Sequence, residues 1–247
     1  MSKKIVYSNK KLELAHNFFA EKGFVVFDSL LSDDALKSSE NIIRKEIKGS
    51  NTVVNMHARD EWFAEFVARK EFTDVAKSLL GVKKVKVFTS MILNKPPKGL
   101  MTVPWHQDAA YDWPIDPVDC ASLWLAFDDI TIENGAMEVA VGAHKSGAFP
   151  RGNKEELKKG DSHFSDQLED SIHDDTLKGY EKMHLTMPKG YASFHHSMIP
   201  HRSNPNITDK GRCAFIVRYC GENTKLVKYP GMKRENDFKD IDFLECK

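Results

Sequence analysis

The chain has 247 residues with 36 basic and 36 acidic side chains, so no net charge draws it towards nucleic acid or an anionic membrane surface. Its 41% hydrophobic content suits one ordinary globular domain over residues 1–247, and no run approaches the roughly 20 apolar residues of a membrane span. Four cysteines without a C-x-x-C pair, and a start at Met1-Ser2-Lys3-Lys4-Ile5 with no apolar core behind it, point to a reduced cytoplasmic protein rather than a secreted or zinc-stapled one.

A helical part is expected over about residues 1–82. Leu12, Ala15 and Phe19 keep helical spacing behind a candidate cap at Ser8, and Gly23 is placed to end that helix. Phe24-Val25-Val26-Phe27 suits a short buried strand. Ser32 then caps a second helix, with Asp33 and Asp34 in the first turn where the dipole favours acids. Trp62, Phe63 and Phe66 mark the apolar face of another helix.

A β core is expected over about residues 83–222. Val85 and Val87 alternate with lysines, and Met91-Ile92-Leu93 extends that segment to Pro96-Pro97. Further strand-like runs are Ser122 to Phe127, Met137 to Val141, His184 to Met187, Ala192 to His195 and Cys213 to Tyr219, with Asn134-Gly135 as a hairpin signal. Helices first and short strands afterwards give an α+β class with a jelly-roll or barrel core. The charge-dense stretch of about residues 151–182 reads as a solvated insertion, or equally as a cover over the barrel mouth.

His106-Gln107-Asp108 is the sharpest chemical feature. At a strand end, residues i and i+2 point to one side, so the imidazole and carboxylate can share a metal. Two histidines and a carboxylate form a facial triad that leaves three positions open on Fe(II), enough for a chelating cosubstrate and O2. One H-x-D triplet is weak evidence, and His173-Asp174-Asp175 is a second, which reads as a solvated accident inside the charged stretch. His195, His196 and His201 are the candidates for the third ligand. His195 and His196 point to opposite faces of an extended segment, so they cannot both reach one metal. His201 gains weight from Ser203 and from Arg212, eleven residues on, whose guanidinium can pair bidentately with a dicarboxylate chelating the metal at its other end.

These residues sit in a longer pattern. It runs from Met91-Ile92-Leu93-Asn94-Lys95-Pro96-Pro97 through Trp105-His106-Gln107-Asp108, Tyr111, Trp124 and Glu133-Asn134-Gly135 to Gly142-Ala143-His144-Lys145-Ser146-Gly147. It continues with Lys189-Gly190, Phe194 to His201, Ser203, Asn206 and Arg212, and Glu21-Lys22-Gly23-Phe24-Val25-Val26 resembles the family's opening helix–strand junction. The pattern resembles the phytanoyl-CoA dioxygenase family of Fe(II)/2-oxoglutarate oxygenases. The resemblance implies a double-stranded β-helix buttressed by helices. It implies iron on His106, Asp108 and His201, with the distal carboxylate of 2-oxoglutarate on Arg212 and Ser203. Met91, Gln107 and Trp124 fall where family members line the cosubstrate pocket, and His144 falls in a turn.

The implied reaction is hydroxylation of a C–H bond in a small-molecule substrate, using 2-oxoglutarate and O2 and releasing succinate and CO2. Halogenating relatives replace the carboxylate ligand, so Asp108 favours hydroxylation. No acyl-CoA site is recognisable, and Ala109-Ala110-Tyr111-Asp112-Trp113-Pro114 lacks the ectoine hydroxylase signature. Two alternatives stay open: a cupin-like metal hydrolase, which has no use for a dicarboxylate anchor at Arg212, and a catalytically silent binding protein on the same fold.

Overall fold

The helical part precedes the β core, as the order of apolar periodicities requires. In chain order the elements are β1 (Val6–Tyr7), α1 (Leu12–Lys22), β2 (Phe24–Phe27), α2 (Asp33–Glu46), β3 (Thr52–Val54), α3 (Glu61–Val67) and α4 (Lys70–Leu80). Then follow β4 (Val85–Lys95), β5 (Val103–His106), β6 (Ile115–Asp116), β7 (Cys120–Ala126), β8 (Met137–Ala140), β9 (Lys182–His184) and β10 (Ala192–His196). The chain continues with β11 (His201–Ser203), β12 (Arg212–Gly221), β13 (Lys225–Leu226) and β14 (Leu244–Glu245). The structure is a computed structural model and describes residues 6–8, 11–48, 50–110, 113–150, 171–227 and 242–246. Among these, no helix is long and apolar enough to cross a membrane. The cover expected over residues 151–182 falls largely outside them, as does Tyr111.

Local signals explain most of the element ends. Gly23 closes α1 at φ 80°, where its backbone N–H donates to Phe19 O, and a side chain there would run into the His144 ring. Ser32 caps α2, its Oγ accepting from Ala35 N at 3.3 Å, and Asp60 caps α3 through Phe63 N at 3.2 Å. Ser8 does not cap α1. That helix starts at Leu12 behind Lys11, and only the Ser8 carbonyl takes part, accepting from Lys11 N.

The strands form a double-stranded β-helix. The major sheet has the order β1-β2-β10-β7-β12-β4-β14 with β3 added on β4; the minor sheet has the order β5-β11-β8-β9, and β13 pairs with β6. Period-two alternation sorts the side chains of the major sheet. Leu123, Leu125, Phe215, Val217 and Tyr219 turn outwards into a core shared with the helices, while Trp124, Ala126, Ala214 and Ile216 turn inwards to meet Met137 and Val139 of β8. Phe66 of α3 meets Phe215 at 5.4 Å and Phe72 of α4 at 5.5 Å, tying helices to sheet. Truncating Phe215 to alanine in such packing costs about 3–5 kcal/mol.

Two local expectations fail for a tertiary reason. Asn134-Gly135 is not the loop of a paired hairpin, because β7 and β8 lie in different sheets. It forms a crossing turn in which Asn134 Oδ1 accepts from Thr131 N (2.9 Å) and Nδ2 donates to Asp129 O (2.7 Å), with Gly135 at φ 84°. The strand expected at His184 to Met187 instead runs Lys182–His184, leaving Met187 a single bridge to Ile130.

Candidate metal centre

β5 lies at the edge of the minor sheet, where Pro104 removes no needed ladder bond. Its last residue, His106, is the direct cross-strand partner of His201, the first residue of β11. Residues paired in this way project to one face, and the two imidazole rings stand 4.1 Å apart. Asp108, two residues beyond His106, turns to the same side. One ligand atom from each of His106, Asp108 and His201 lies within 4.8 Å of the other two. Among the described residues, no other group of His, Cys, Asp or Glu side chains reaches this geometry.

Each imidazole is oriented by its own strand. His106 Nδ1 donates to Pro104 O and His201 Nδ1 to Ile199 O, both at 2.9 Å. A carbonyl can only accept, so Nδ1 carries the hydrogen and Nε2 keeps its lone pair for a metal. Burial, followed by the neighbouring His106, holds His201 well below the usual imidazole range, so it stays neutral. Burial alone would raise Asp108; the Arg218 guanidinium and His195 outweigh it and hold the carboxylate well below its ordinary range. Two imidazoles and one carboxylate suit a divalent cation.

The three groups open onto a cavity of about 440 Å³, also lined by Met91, Gln107, Trp124, Ser203, Arg212 and Arg218. Arg212 is 1% exposed. Its Nη2 donates to Gly135 O, its guanidinium stands 5.0 Å over the Trp124 ring, and its Nε and Nη1 are buried without a partner among the described residues. Burial lowers Arg212 only to about 10, so it remains cationic at neutral pH. A buried cation with two unmet donors beside a cavity is a site for an anion.

The pattern of the phytanoyl-CoA dioxygenase (PhyH) family matches residues 19–214. The chain belongs to the phytanoyl-CoA dioxygenase family. Rat peroxisomal phytanoyl-CoA dioxygenase (Rattus norvegicus) is 27% identical over 254 residues, covering 91% of this chain and 72% of the relative. L-proline trans-4-hydroxylase of Streptomyces griseoviridis is 30% identical over 185 residues, covering 70% and 69%. In fold, the chain is similar to the non-haem α-ketoglutarate-dependent epimerase of nogalamycin biosynthesis, at a TM-score of 0.74 and 16% identity over 94% of this chain and 91% of that one. As a phytanoyl-CoA dioxygenase family member, the protein is an Fe(II)/2-oxoglutarate-dependent oxygenase.

The remaining sequence candidates have definite places in this family member. Ser203 faces the cavity two residues from His201 on β11. The Gln107 amide is tied into backbone: Nε2 donates to Gly147 O (2.8 Å) and Met198 O (2.7 Å), and Oε1 accepts from Phe149 N (2.8 Å). It thus braces the loops beside the metal ligand candidates as well as lining the cavity. His144 lies in a short turn with Nε2 on Ala20 O, and Asp175 of the second H-x-D triplet pairs with Lys178 at 2.7 Å; neither belongs to the cluster.

Sequence reasoning missed three side chains of the site. Arg218 grips Asp108 with both arms, Nε to Oδ2 at 3.3 Å and Nη2 to Oδ1 at 3.2 Å, and donates from Nη1 to Thr89 Oγ1 at 3.2 Å. Its even spacing of six residues from Arg212 put both on one face of β12, a signal that was there to be used. His195, weighed as a ligand or an ordinary core histidine, sits with Nε2 3.5 Å from Asp108 Oδ2 and its ring 4.9 Å from His201. His196 turns to the other side and pairs with Asp119 at 3.5 Å. Lys95 is the third, buried at the end of β4 as the cross-strand partner of Arg212.

Proposed function

We propose that this oxygenase hydroxylates a C–H bond of a small-molecule substrate, with conversion of 2-oxoglutarate to succinate and CO2. In this reading His106, Asp108 and His201 hold Fe(II), and Arg212 with Ser203 receives the distal carboxylate of 2-oxoglutarate. The observation that carries it is Arg212, which lines the same cavity as the three ligand candidates and keeps two buried donors without a partner among the described residues. A hydrolase has no need of that anchor. Iron, 2-oxoglutarate and O2 together supply the oxidising power.

The chain's own residues bind, orient and exclude. His201 and Ser203, two residues apart on one strand face, stand about 6–7 Å apart along it, comparable with the length of a five-carbon dicarboxylate. Trp124 lies under the Arg212 guanidinium at 5.0 Å and, with Met91, lines the same cavity. Arg218 donates to both oxygens of Asp108 and so would fix the orientation of the carboxylate that holds the metal.

The test is anaerobic titration of the Fe(II)-loaded protein with 2-oxoglutarate, following the metal-to-ligand charge-transfer absorption. Removing one partner of a buried guanidinium–carboxylate pair costs about 3–5 kcal/mol. At about 1.4 kcal/mol per decade, Arg212→Ala is expected to weaken 2-oxoglutarate a hundredfold or more, and Arg212→Lys to recover part of that. Iron binding survives both changes. A parent protein without the absorption defeats the reading; an Arg212→Ala protein that binds as tightly as the parent moves the anchor elsewhere.

A further inference from the structure

Lys95 closes β4, directly opposite Arg212 on β12, and is 0% exposed. A buried lysine ordinarily finds a carboxylate. The partners of Lys95 are instead three neutral oxygens: Ser203 Oγ at 2.8 Å, Ser203 O at 3.2 Å and Asn204 O. Gly135 makes the room, since a Cβ there would collide with Asn204 O and press on Lys95 Nζ. Two buried basic side chains therefore converge behind Ser203, and Arg212 still holds two donors unmet among the described residues.

The direction of the bond to Ser203 matters. An ammonium has three hydrogens and no lone pair, so against three oxygens it donates to all of them. Ser203 Oγ is then an acceptor towards Lys95, and its own hydrogen must point elsewhere. Ser203 lines the cavity whereas Lys95 does not, so the open direction is the cavity. A neutral amine would reverse this, accepting from Ser203 and turning the hydroxyl away. Burial and the Arg212 charge push Lys95 down to about 6, and an anion arriving in front of the pair favours the charged amine.

We propose that Lys95 is a positioning residue. By donating to Ser203 Oγ from behind, it turns the hydroxyl hydrogen into the cavity, where it meets the distal carboxylate of 2-oxoglutarate beside Arg212. The proposal rests on the cosubstrate reading above. A purely structural Lys95 would only tie the chain at residues 203–204 to β4, and would not distinguish one 2-oxo acid from another.

The experiment is anaerobic titration of the Fe(II)-loaded protein with 2-oxoglutarate and, separately, with pyruvate, which keeps the 2-oxo acid end and lacks the distal carboxylate. Lys95→Met and Ser203→Ala are each expected to weaken 2-oxoglutarate about tenfold, the size of one lost hydrogen bond to a charged group. The double variant is expected to lose no more than either single one, because both act through the same Ser203–carboxylate hydrogen bond. Pyruvate affinity stays at the parent value throughout. Additive losses, an equal loss for pyruvate, or a Lys95→Met protein that binds 2-oxoglutarate like the parent would overturn the proposal. Should Lys95→Met not fold, Ser203→Ala still decides: it leaves Lys95 both carbonyl acceptors, and unchanged 2-oxoglutarate affinity sinks the idea. A parent that binds neither acid defeats the cosubstrate reading itself, an outcome distinct from all of these.

Discussion

Replacing Arg218 by methionine separates the charge it brings to the site from the space it fills. Methionine keeps much of the aliphatic stem and removes the fork that holds Asp108 at 3.2 and 3.3 Å. The Asp108 side chain is 7% exposed and that of Arg218 16%, so the pair is largely out of water. Losing one partner of a buried pair costs about 3–5 kcal/mol, and the lower end applies because Arg218 keeps some solvent and His195 stays beside Asp108. For a chain of this size each kcal/mol moves Tm by roughly 2–4 °C, so metal-free Arg218→Met should melt about 6–12 °C below the parent. A divalent cation restores positive charge next to Asp108 and should recover most of the deficit. The assay is thermal unfolding with and without saturating Mn(II). A deficit of the same size in both conditions would refute the reasoning and make Arg218 a packing residue on Trp113, over whose ring it lies at 5.0 Å.

Metal affinity should rank the two buried histidines. His201→Ala is expected to abolish tight Fe(II) binding in anaerobic titration, whereas His195→Ala, which loses a contact to Asp108 but no ligand atom, should weaken it by no more than about tenfold. The reverse ranking would exchange their roles. Acid stability should report on His57, whose Nδ1 meets Ser90 Oγ at 2.6 Å and which burial pushes down to about 4. Between that value and the free imidazole value of 6.5 the unfolded chain binds the extra proton, so stability present above pH 6.5 is lost as pH falls towards 4. The loss is about 3 kcal/mol, read by denaturant melts at successive pH values. His57→Gln should flatten that part of the profile, and an unaltered slope would assign the acid sensitivity to other groups.

Much of this protein was legible in its sequence because the relevant physics is local. Gly23 and Ser32 mark helix ends through backbone conformation and capping, which need only a few neighbouring residues. The H-x-D spacing at 106–108 brings two candidate ligand groups to one side of the chain at the end of β5. The order of periodicities, helical before about residue 82 and strand-like after it, gave the class of fold. Tertiary structure decided what depends on pairing between distant strands. His201 stands opposite His106 because β11 pairs with β5, and no spacing in the chain states that register. The turn at Asn134-Gly135 has the residues of a hairpin, yet it crosses between sheets because its flanking strands find partners elsewhere. Arg218 on Asp108 and Lys95 behind Ser203 join residues more than a hundred positions apart. Their chemistry exists only once the two sheets have closed around the cavity, where loss of water makes each charge depend on the neighbours that folding supplies.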